Sequence, residues 1–222
     1  MNKIFLILST ALLFSVQVSC QSNKKNKEAE TMAQQNQEAV DVPAENGLEH
    51  AYVASGCFWC VEAVYESVKG VDEAISGYSG GKTQNPTYKD HADHAEAVEI
   101  IYDPNKVSFA TLIDVYFGSQ DVTQVNGQGP DRGKSYRSIL FYQNDKQKQI
   151  IETKIAELEK KVGKGKVAAQ VLPFQKFWKA EAYHQNYEKN NPGNPYIQNV
   201  SIPRINRFKS KFPELLKEGA TH

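Results

Sequence analysis

Two cysteines three residues apart are the most reactive pair in this sequence. They lie in the segment Gly56-Cys57-Phe58-Trp59-Cys60. If Cys57 lies on the first turn of a helix, free backbone N–H groups and the helix dipole stabilise its thiolate and lower its pKa. This spacing puts both sulfurs on one helical face, with Cα atoms about 5 to 6 Å apart, so Cys60 can attack an oxidised Cys57. The pair therefore predicts redox chemistry.

Two alternatives to the redox interpretation are weaker. A static disulfide would also use a Cys-x-x-Cys pair. So would half of a zinc site, but the third cysteine, Cys20, cannot supply the second cysteine pair that completes such a site. The segment with Asp90, His91, Asp93 and His94 contains metal-ligand types, yet such a stretch is more typical of a solvated polar loop. We predict neither a metal nor a cofactor.

The elements that position the cysteines follow from hydrophobic period and punctuation. A helix over 58–69 places Val61, Val64, Tyr65 and Val68 on one face and ends before Gly70. The same signals predict strands over 51–55, 71–78, 95–102, 136–142 and 167–172, a loop over 79–93, and helices from Ser108 to Phe117 and from Asn144 to Lys161.

Up to Tyr142 the predicted order of elements is β-α-β-β-α-β. This order predicts an α/β (α+β) chain with a ferredoxin-like split β-α-β-β-α-β two-layer sandwich, a mixed and mainly antiparallel sheet, and extra C-terminal elements. A thioredoxin-like sheet is the alternative, since it also carries Cys-x-x-Cys where a strand meets a helix. Only one strand precedes the motif here, which disfavours it.

Beyond the cysteines, a series of motifs resembles the A-type peptide methionine sulfoxide reductases. The resemblance covers Tyr52 to Pro195 and falls in the family's order throughout. The motifs are Gly56-Cys57-Phe58-Trp59, Gly77-Tyr78-Ser79-Gly80-Gly81, Asn85-Pro86-Thr87-Tyr88, His94-Ala95-Glu96-Ala97-Val98, Tyr102-Asp103-Pro104, Asp131-Arg132-Gly133, Ser135-Tyr136-Arg137-Ser138 and His184-Gln185-Asn186-Tyr187.

This resemblance implies a role for each matching side chain. Cys57 attacks the sulfur of the S epimer of methionine sulfoxide, and Glu96 supplies a proton to the departing oxygen. Tyr88 and Tyr136 donate hydrogen bonds to the same oxygen. Further residues match the family's substrate pocket: Phe58 and Trp59 against the S-methyl group, with Asp131, Tyr187 and, as a weaker match, His184.

The chain departs from the common family pattern in three places. Many members carry Gly at the position of Cys60 and use a cysteine near the C-terminus instead; here no cysteine follows Cys60. Cys60 is therefore the predicted resolving thiol, recycled by a thioredoxin-like reductant, or an external thiol reduces the sulfenic acid directly. The loop between Tyr88 and Glu96 is shorter than usual, and Ser135 stands where a glutamine is common.

The N-terminal segment has the character of an export signal. Residues 1–19 contain one lysine and an apolar run, and they end before Cys20 as in a bacterial lipobox. We predict a signal over 1–19, acylation of Cys20, a flexible polar tether over 20–50 and a catalytic domain over 51–222. The protein would be anchored to a bacterial membrane, facing the periplasm or exterior. The alternative is a plain secretory peptide and a soluble product.

Overall composition constrains the partners. The 222 residues carry 26 basic and 26 acidic side chains, so nucleic acid is not an expected partner. We expect methionine sulfoxide, free or in oxidised proteins, as substrate, and a monomer. Two other classes stay open at this point: a general thiol-disulfide oxidoreductase, and a tethered binding protein that has a methionine pocket but no turnover.

Overall fold

A computed structural model describes residues 33–91 and 93–220. The predicted signal, the acylation site Cys20 and residues 21–32 of the predicted tether lie outside the described residues. Among the described residues, no helix has both the length and the apolar character to cross a bilayer.

The catalytic domain begins earlier than the sequence predicts. Its compact unit starts at Ala39, inside the predicted tether. The backbone N–H of Val40 donates to the Phe174 carbonyl at 2.8 Å, and that of Val42 donates to Gln143 Oε1 at 2.9 Å. The prediction that residues 39–50 belong to a free tether is wrong. A few backbone hydrogen bonds and small apolar side chains attach this segment to the domain. Its composition is mainly polar and gives no sign of these contacts.

A six-stranded sheet forms the centre of the domain. The described residues form eight strands, of which six belong to this sheet. They are β1 (Glu49–Ala54), β2 (Val71–Ser79), β3 (Ala95–Tyr102), β4 (Gly127–Gln128), β5 (Asp131–Arg132), β6 (Ile139–Tyr142), β7 (Gln170–Pro173) and β8 (Phe177–Lys179). The order across the sheet is β7-β6-β1-β3-β2-β8, while β4 and β5 form a separate ribbon. Neighbours are antiparallel except β6 and β7. The inner order β6-β1-β3-β2 confirms the predicted split β-α-β-β-α-β arrangement and the mixed, mainly antiparallel sheet.

Helices accompany the sheet along the domain. They are α1 (Phe58–Glu66), α2 (Phe109–Gly118), α3 (Asp145–Val162), α4 (Tyr187–Asn190) and α5 (Ile202–Lys211). Two predicted caps are confirmed: Ser108 Oγ accepts the Thr111 N–H at 3.1 Å, and Asn144 Oδ1 accepts the Gln147 N–H at 3.0 Å. Each satisfies a backbone donor that the first helical turn leaves unpaired.

Helix α1 carries the cysteine motif and buries its apolar face in the main core. Val61, Val64 and Tyr65 are almost fully buried, as the helical pattern predicts. The helix ends at Glu66 rather than at Lys69, because Ser67 Oγ bonds the Val64 carbonyl and closes the last turn. This anchored helix fixes the direction of the cysteine motif at its N-terminus.

Three predicted boundaries shift by a few residues. Strand β1 starts at Glu49, β7 starts at Gln170, and β6 starts at Ile139 because Lys134–Tyr136 form a 3-10 turn instead. That turn follows Gly133, whose φ of 123° is a backbone conformation that favours glycine. The C-terminal segment after β7, left unassigned by periodicity, supplies β8, α4 and α5.

Candidate active site

Cys57 is the N-cap residue of α1, at a turn that requires glycine. Gly56 has φ 76°, and a Cβ there would lie 2.5 Å from Gln128 Cβ. The turn places Cys57 at the start of the helix with φ −56° and ψ 123°. Cys57 and Cys60 are both free thiols, 6% and 1% exposed. The predicted placement of the pair at a helix start is confirmed.

The electrostatics of the pair differ from the sequence prediction. Burial, followed by the hydrogen bond with Cys60, raises the pKa of Cys57 well above its usual range. The hydrogen bond with Cys57, together with the charge of Arg204 and against the opposing effect of burial, lowers the pKa of Cys60 to about 6. The prediction of a lowered Cys57 pKa is wrong for the reduced pair, because the thiol is desolvated and the Phe58 N–H of the first helical turn donates to Glu96 instead.

Glu96 lies on β3, 2% exposed, with its carboxyl group at the start of α1. The Phe58 N–H donates to Glu96 Oε2 at 3.0 Å. Burial raises the Glu96 pKa to about 8, despite the opposing effect of that hydrogen bond. At neutral pH the side chain is therefore mainly protonated and able to donate a proton beside Cys57.

An aromatic enclosure surrounds this part of the helix. The Phe58 ring lies 6.3 Å from Tyr88 and 4.9 Å from His184, measured between ring centroids. Trp59 stacks on Tyr187 at 3.8 Å with an interplanar angle of 9°. These rings come from separate segments of the chain, and they form an apolar wall suited to a soft methyl thioether group.

Two tyrosines face the same acid and thiol. Burial raises the pKa of Tyr136, and the neighbouring Glu96, Tyr88 and Cys57 raise it further. Burial likewise raises the pKa of Tyr88, with contributions from Glu96 and Cys57. Both phenols are therefore neutral donors at neutral pH. Tyr88 is held in place by its backbone N–H, which donates to Glu181 Oε1 at 3.0 Å.

His184 is buried rather than exposed on a helix. It lies in a 3-10 turn at 1% exposure, and Trp59 Nε1 donates to its Nδ1 at 3.0 Å. Burial lowers its pKa, which favours the neutral ring. Its Nε2 has no hydrogen-bond partner among the described residues. The side chain fixes the orientation of Trp59, and its free N–H is a further donor beside the aromatic wall.

The structure also shows a contact chain that the sequence motifs do not reveal. Tyr196 Oη donates to Asp131 Oδ2 at 2.5 Å and lies 3.9 Å from Cys60 Sγ, while its ring meets Trp59 edge-on at 6.0 Å. The buried Arg204 lies on the same side of α1. Tyr196 lies beyond the last family motif, and no local spacing signal links it to Cys60.

The loop between Tyr88 and Glu96 is organised by its own polar side chains. His94 Nδ1 accepts the Gly81 N–H at 3.2 Å, and its Nε2 bonds the Thr83 carbonyl oxygen at 2.8 Å. Asp93 accepts the Lys82 N–H at 2.7 Å. Within residues 33–91 and 93–220, no group of three or more potential metal-ligating side chains comes together. Although the loop is short, Tyr88 still reaches Phe58 and the neighbourhood of Glu96.

A buried thiol pair beside a protonated carboxyl group, in an aromatic pocket on a split β-α-β-β-α-β fold, defines a thiol-dependent oxidoreductase. A family model described as peptide methionine sulfoxide reductase matches residues 49–216. The chain belongs to the peptide methionine sulfoxide reductase family, and it is an A-type enzyme of that family that reduces methionine sulfoxide.

Named relatives support the assignment over most of the chain. The chain is 44% identical to peptide methionine sulfoxide reductase MsrA of Pasteurella multocida, over 76% of its length and 99% of the relative. It is 42% identical to MsrA of Saccharolobus solfataricus, over 77% and 98%. Among solved structures, methionine sulfoxide reductase A of Corynebacterium diphtheriae matches with TM-score 0.60 and 29% identity, covering 71% of this chain and 83% of that one. Mxr1 of Saccharomyces cerevisiae in reduced form matches with TM-score 0.59 and 31% identity, covering 69% and 91%.

Proposed function

We propose that Cys57 is the nucleophile and Glu96 the acid in reduction of the S epimer of methionine sulfoxide, free or in oxidised proteins. The observation that carries this assignment is the Glu96 carboxyl group, buried and protonated, bound to the first backbone N–H after Cys57. An acid in that position reaches an oxygen on any sulfur that Cys57 attacks.

The first half-reaction moves one oxygen from substrate to enzyme. The Cys57 sulfur attacks the sulfoxide sulfur while Glu96 protonates the oxygen and the phenols of Tyr88 and Tyr136 donate to it. The S–O bond of the substrate breaks, methionine leaves as a thioether, and Cys57 becomes a sulfenic acid. The Cys57 thiol gives up its proton as the oxygen gains one, so its raised pKa in the resting enzyme is compensated within the step.

The aromatic wall accounts for the preferred epimer. A sulfoxide sulfur carries one methyl group, one oxygen and one longer chain, and each epimer places them differently. With Phe58 and Trp59 against the methyl group and Glu96 facing the oxygen, the site discriminates the two epimers, and the resemblance to A-type enzymes implies that the S epimer is the one accepted.

The second half-reaction uses Cys60. Its thiolate, favoured by the nearby charge of Arg204, attacks the Cys57 sulfenic sulfur and releases water, forming a Cys57–Cys60 disulfide. A thioredoxin-like dithiol then reduces this disulfide and is itself oxidised. No other described cysteine is placed to resolve Cys57.

We further propose that the enzyme works outside the cytoplasm as a monomer, tethered through acylated Cys20. The supporting feature is the sequence of residues 1–20, with its apolar run and terminal cysteine. Mass spectrometry of the mature N-terminus tests it: a diacylated or triacylated Cys20 peptide is expected. A mature chain starting beyond Cys20 would favour a soluble product.

The proposed reaction is tested with separate epimers of N-acetyl methionine sulfoxide and dithiothreitol. We expect reduced product from the S epimer and a rate lower by about a hundredfold or more from the R epimer. Insulin disulfide reduction serves as the control for general thiol-disulfide activity. Rapid insulin reduction without epimer discrimination would favour a general oxidoreductase instead.

A further inference from the structure

A cavity of about 780 Å³ lies on the Cys60 side of α1. Its lining includes Cys60, Tyr196 and Arg204 together with Gln128, but not Phe58, Glu96 or Tyr88. Its volume is within the range of sites for small molecules, about 300 to 1,000 Å³. Tyr196 lies between this cavity and the aromatic wall of the proposed substrate site. It lines the cavity, and its ring contacts Trp59.

The wall of this cavity carries cations from one helix face. Arg204, Arg207 and Lys211 are spaced three and four residues apart on α5, so their side chains project to the same side. Arg204 is 5% exposed, and among the described residues its guanidinium donates only to neutral oxygens, the carbonyls of Ser119 and Ser55 and the Ser55 hydroxyl, each at 2.9 Å. A buried guanidinium without a carboxylate keeps its full positive charge directed at its surroundings.

The acidic residues of the wall do not neutralise these cations directly. Asp121 accepts hydrogen bonds from the Thr123 N–H and hydroxyl, and Asp131 accepts one from Tyr196. In the part of the chain that the structure describes, neither Arg207 nor Lys211 forms an ion pair. The cavity therefore favours an anionic occupant, and Cys60 is among its lining residues.

We propose that this cavity is the entry and binding site for a small thiol bearing carboxylate groups, which reduces the Cys57–Cys60 disulfide by attack on Cys60. The inference rests on the proposed recycling through that disulfide, and it adds a second reductant class to the thioredoxin-like dithiol. The substrate-facing side of Cys57 stays separate, so the incoming thiol does not have to pass through the methionine pocket.

The redox step balances with two equivalents of thiol. The first thiolate attacks Cys60 Sγ, because Cys60 lines the cavity and Cys57 does not. The Cys57–Cys60 bond breaks, a mixed disulfide forms on Cys60, and Cys57 takes up a proton as it leaves, in keeping with its raised pKa. A second thiol attacks the sulfur of the bound small molecule, forms the small-molecule disulfide and releases Cys60 as a thiolate. The lowered pKa of Cys60 makes it a good leaving group in that second exchange.

The test measures reduction of the oxidised enzyme by three thiols of different charge. The full chain is oxidised with excess sulfoxide, freed of substrate, and mixed with mercaptosuccinate, 2-mercaptoethanol or cysteamine while free protein thiols are followed. The variant is Arg207→Glu with Lys211→Glu, both on exposed side chains. Each rate is expressed as variant over parent for the same thiol, so the intrinsic reactivity of the thiol cancels.

We expect the ratio to fall about tenfold for mercaptosuccinate, less than about threefold for 2-mercaptoethanol, and not at all for cysteamine. High salt should reduce the difference. The matched control, Lys160→Glu with Lys161→Glu on α3, makes the same change in net charge away from the cavity. Equal ratios for the three thiols, or an equal fall in the control variant, would overturn the proposal.

A separate measurement distinguishes failure of the cavity proposal from failure of the proposed function. The first turnover, counted as methionine formed per enzyme without added thiol, should be one in the parent and both variants. If methionine forms but the ratios are flat, the cavity proposal alone fails. If no methionine forms in the parent, the proposed function fails.

Discussion

At the scale of single residues, the proposed acid Glu96 is the group that should distinguish a sulfoxide reductase from a plain dithiol. Glu96 is 2% exposed and is contacted by the Phe58 N–H beside Cys57. A desolvated carboxyl group holds its proton at neutral pH and gives it up only when an oxyanion develops nearby. Without that proton the sulfoxide oxygen is a poor leaving group.

Replacing this acid separates the two chemistries. Glu96→Gln keeps the shape and the Phe58 contact but has no acidic proton, so sulfoxide reduction should fall by about 10² to 10⁴-fold. Insulin reduction through Cys57 and Cys60 should change less than about threefold in the same protein, because thiol-disulfide exchange needs no such acid. Parental sulfoxide activity in Glu96→Gln would contradict the role of the acid.

The pH profile of the reaction follows from the same group. Because the Glu96 pKa is raised to about 8, the protonated form dominates below pH 8 and is lost above it. We expect kcat/KM for S-epimer sulfoxide, measured from about pH 6 to 10, to decline above about pH 8. In Glu96→Gln this decline of kcat/KM should disappear. A decline that persists in the variant would show that a group other than Glu96 causes it.

As the proposed resolving thiol, Cys60 should determine turnover but not the first reduction. In Cys60→Ser, one methionine per enzyme should still form, while steady-state turnover with a thioredoxin-like reductant falls about tenfold or more. Quantifying methionine in burst and steady-state phases distinguishes these steps. The matched control is Ser210→Cys, at an exposed position of α5, combined with Cys60→Ser, which restores the thiol count but not its position. Unchanged steady-state turnover in Cys60→Ser would exclude Cys60 as the resolving thiol.

At the scale of elements, the site depends on where helices begin. Helix α1 starts at Cys57 because Gly56 takes a positive φ next to Gln128, and β3 brings Glu96 to that start through antiparallel pairing with β1 and β2. Helix α2 begins at Ser108, whose side chain caps it. Capping of α2 is a stability feature remote from the chemistry.

A substitution at that cap should affect stability alone. Ser108→Ala removes the bond to the Thr111 N–H and should lower the free energy of unfolding by about 1 kcal/mol. Ser108→Gly, the matched control, should cost only a few tenths of a kcal/mol because glycine leaves the N–H groups open to water. Urea denaturation measures both. Sulfoxide turnover should stay at the parental value, and a large loss would place α2 in the catalytic machinery.

At the scale of the whole molecule, three buried carboxyl groups make folding pH-dependent. Burial raises the pKa of Glu62 to about 7, of Glu188 to about 7 and of Glu96 to about 8, from an ordinary value of 4.5. The folded state therefore binds more protons than the unfolded chain above pH 4.5. Their contribution to stability is complete below the unfolded pKa and is lost as pH rises through about 7 and 8.

The expected result is a free energy of unfolding that decreases from about pH 5 to about pH 8 and levels off above it. Urea denaturation at several pH values measures it. Glu96→Gln should make this decrease shallower over the whole range and remove it between about pH 7 and 8, where Glu62 and Glu188 are already ionised in the folded state. A stability that is flat or rises over this range would show that these groups are ionised in the folded protein.

Much of the fold was accessible from local signals. The caps at Ser108 and Asn144, the buried face of α1 and the order of the first six elements follow from hydrophobic period and capping chemistry, which act within a few residues. The C-terminal helices and the packing of residues 39–50 were not predicted, because their stability comes from long-range contacts such as the Val40 bond to Phe174. Composition reports only that those segments are polar.

For the site, residue types and spacing indicated the paired thiols, and the family resemblance implied the acid in His94-Ala95-Glu96-Ala97 and the aromatic residues beside Cys57. Their ionisation, by contrast, is set by the folded molecule. Burial holds a proton on Glu96 and raises the pKa of Cys57, whereas the Cys57 hydrogen bond and Arg204, distant in the chain, lower that of Cys60. The reason is that proton affinity depends on desolvation and on charges that only folding brings together.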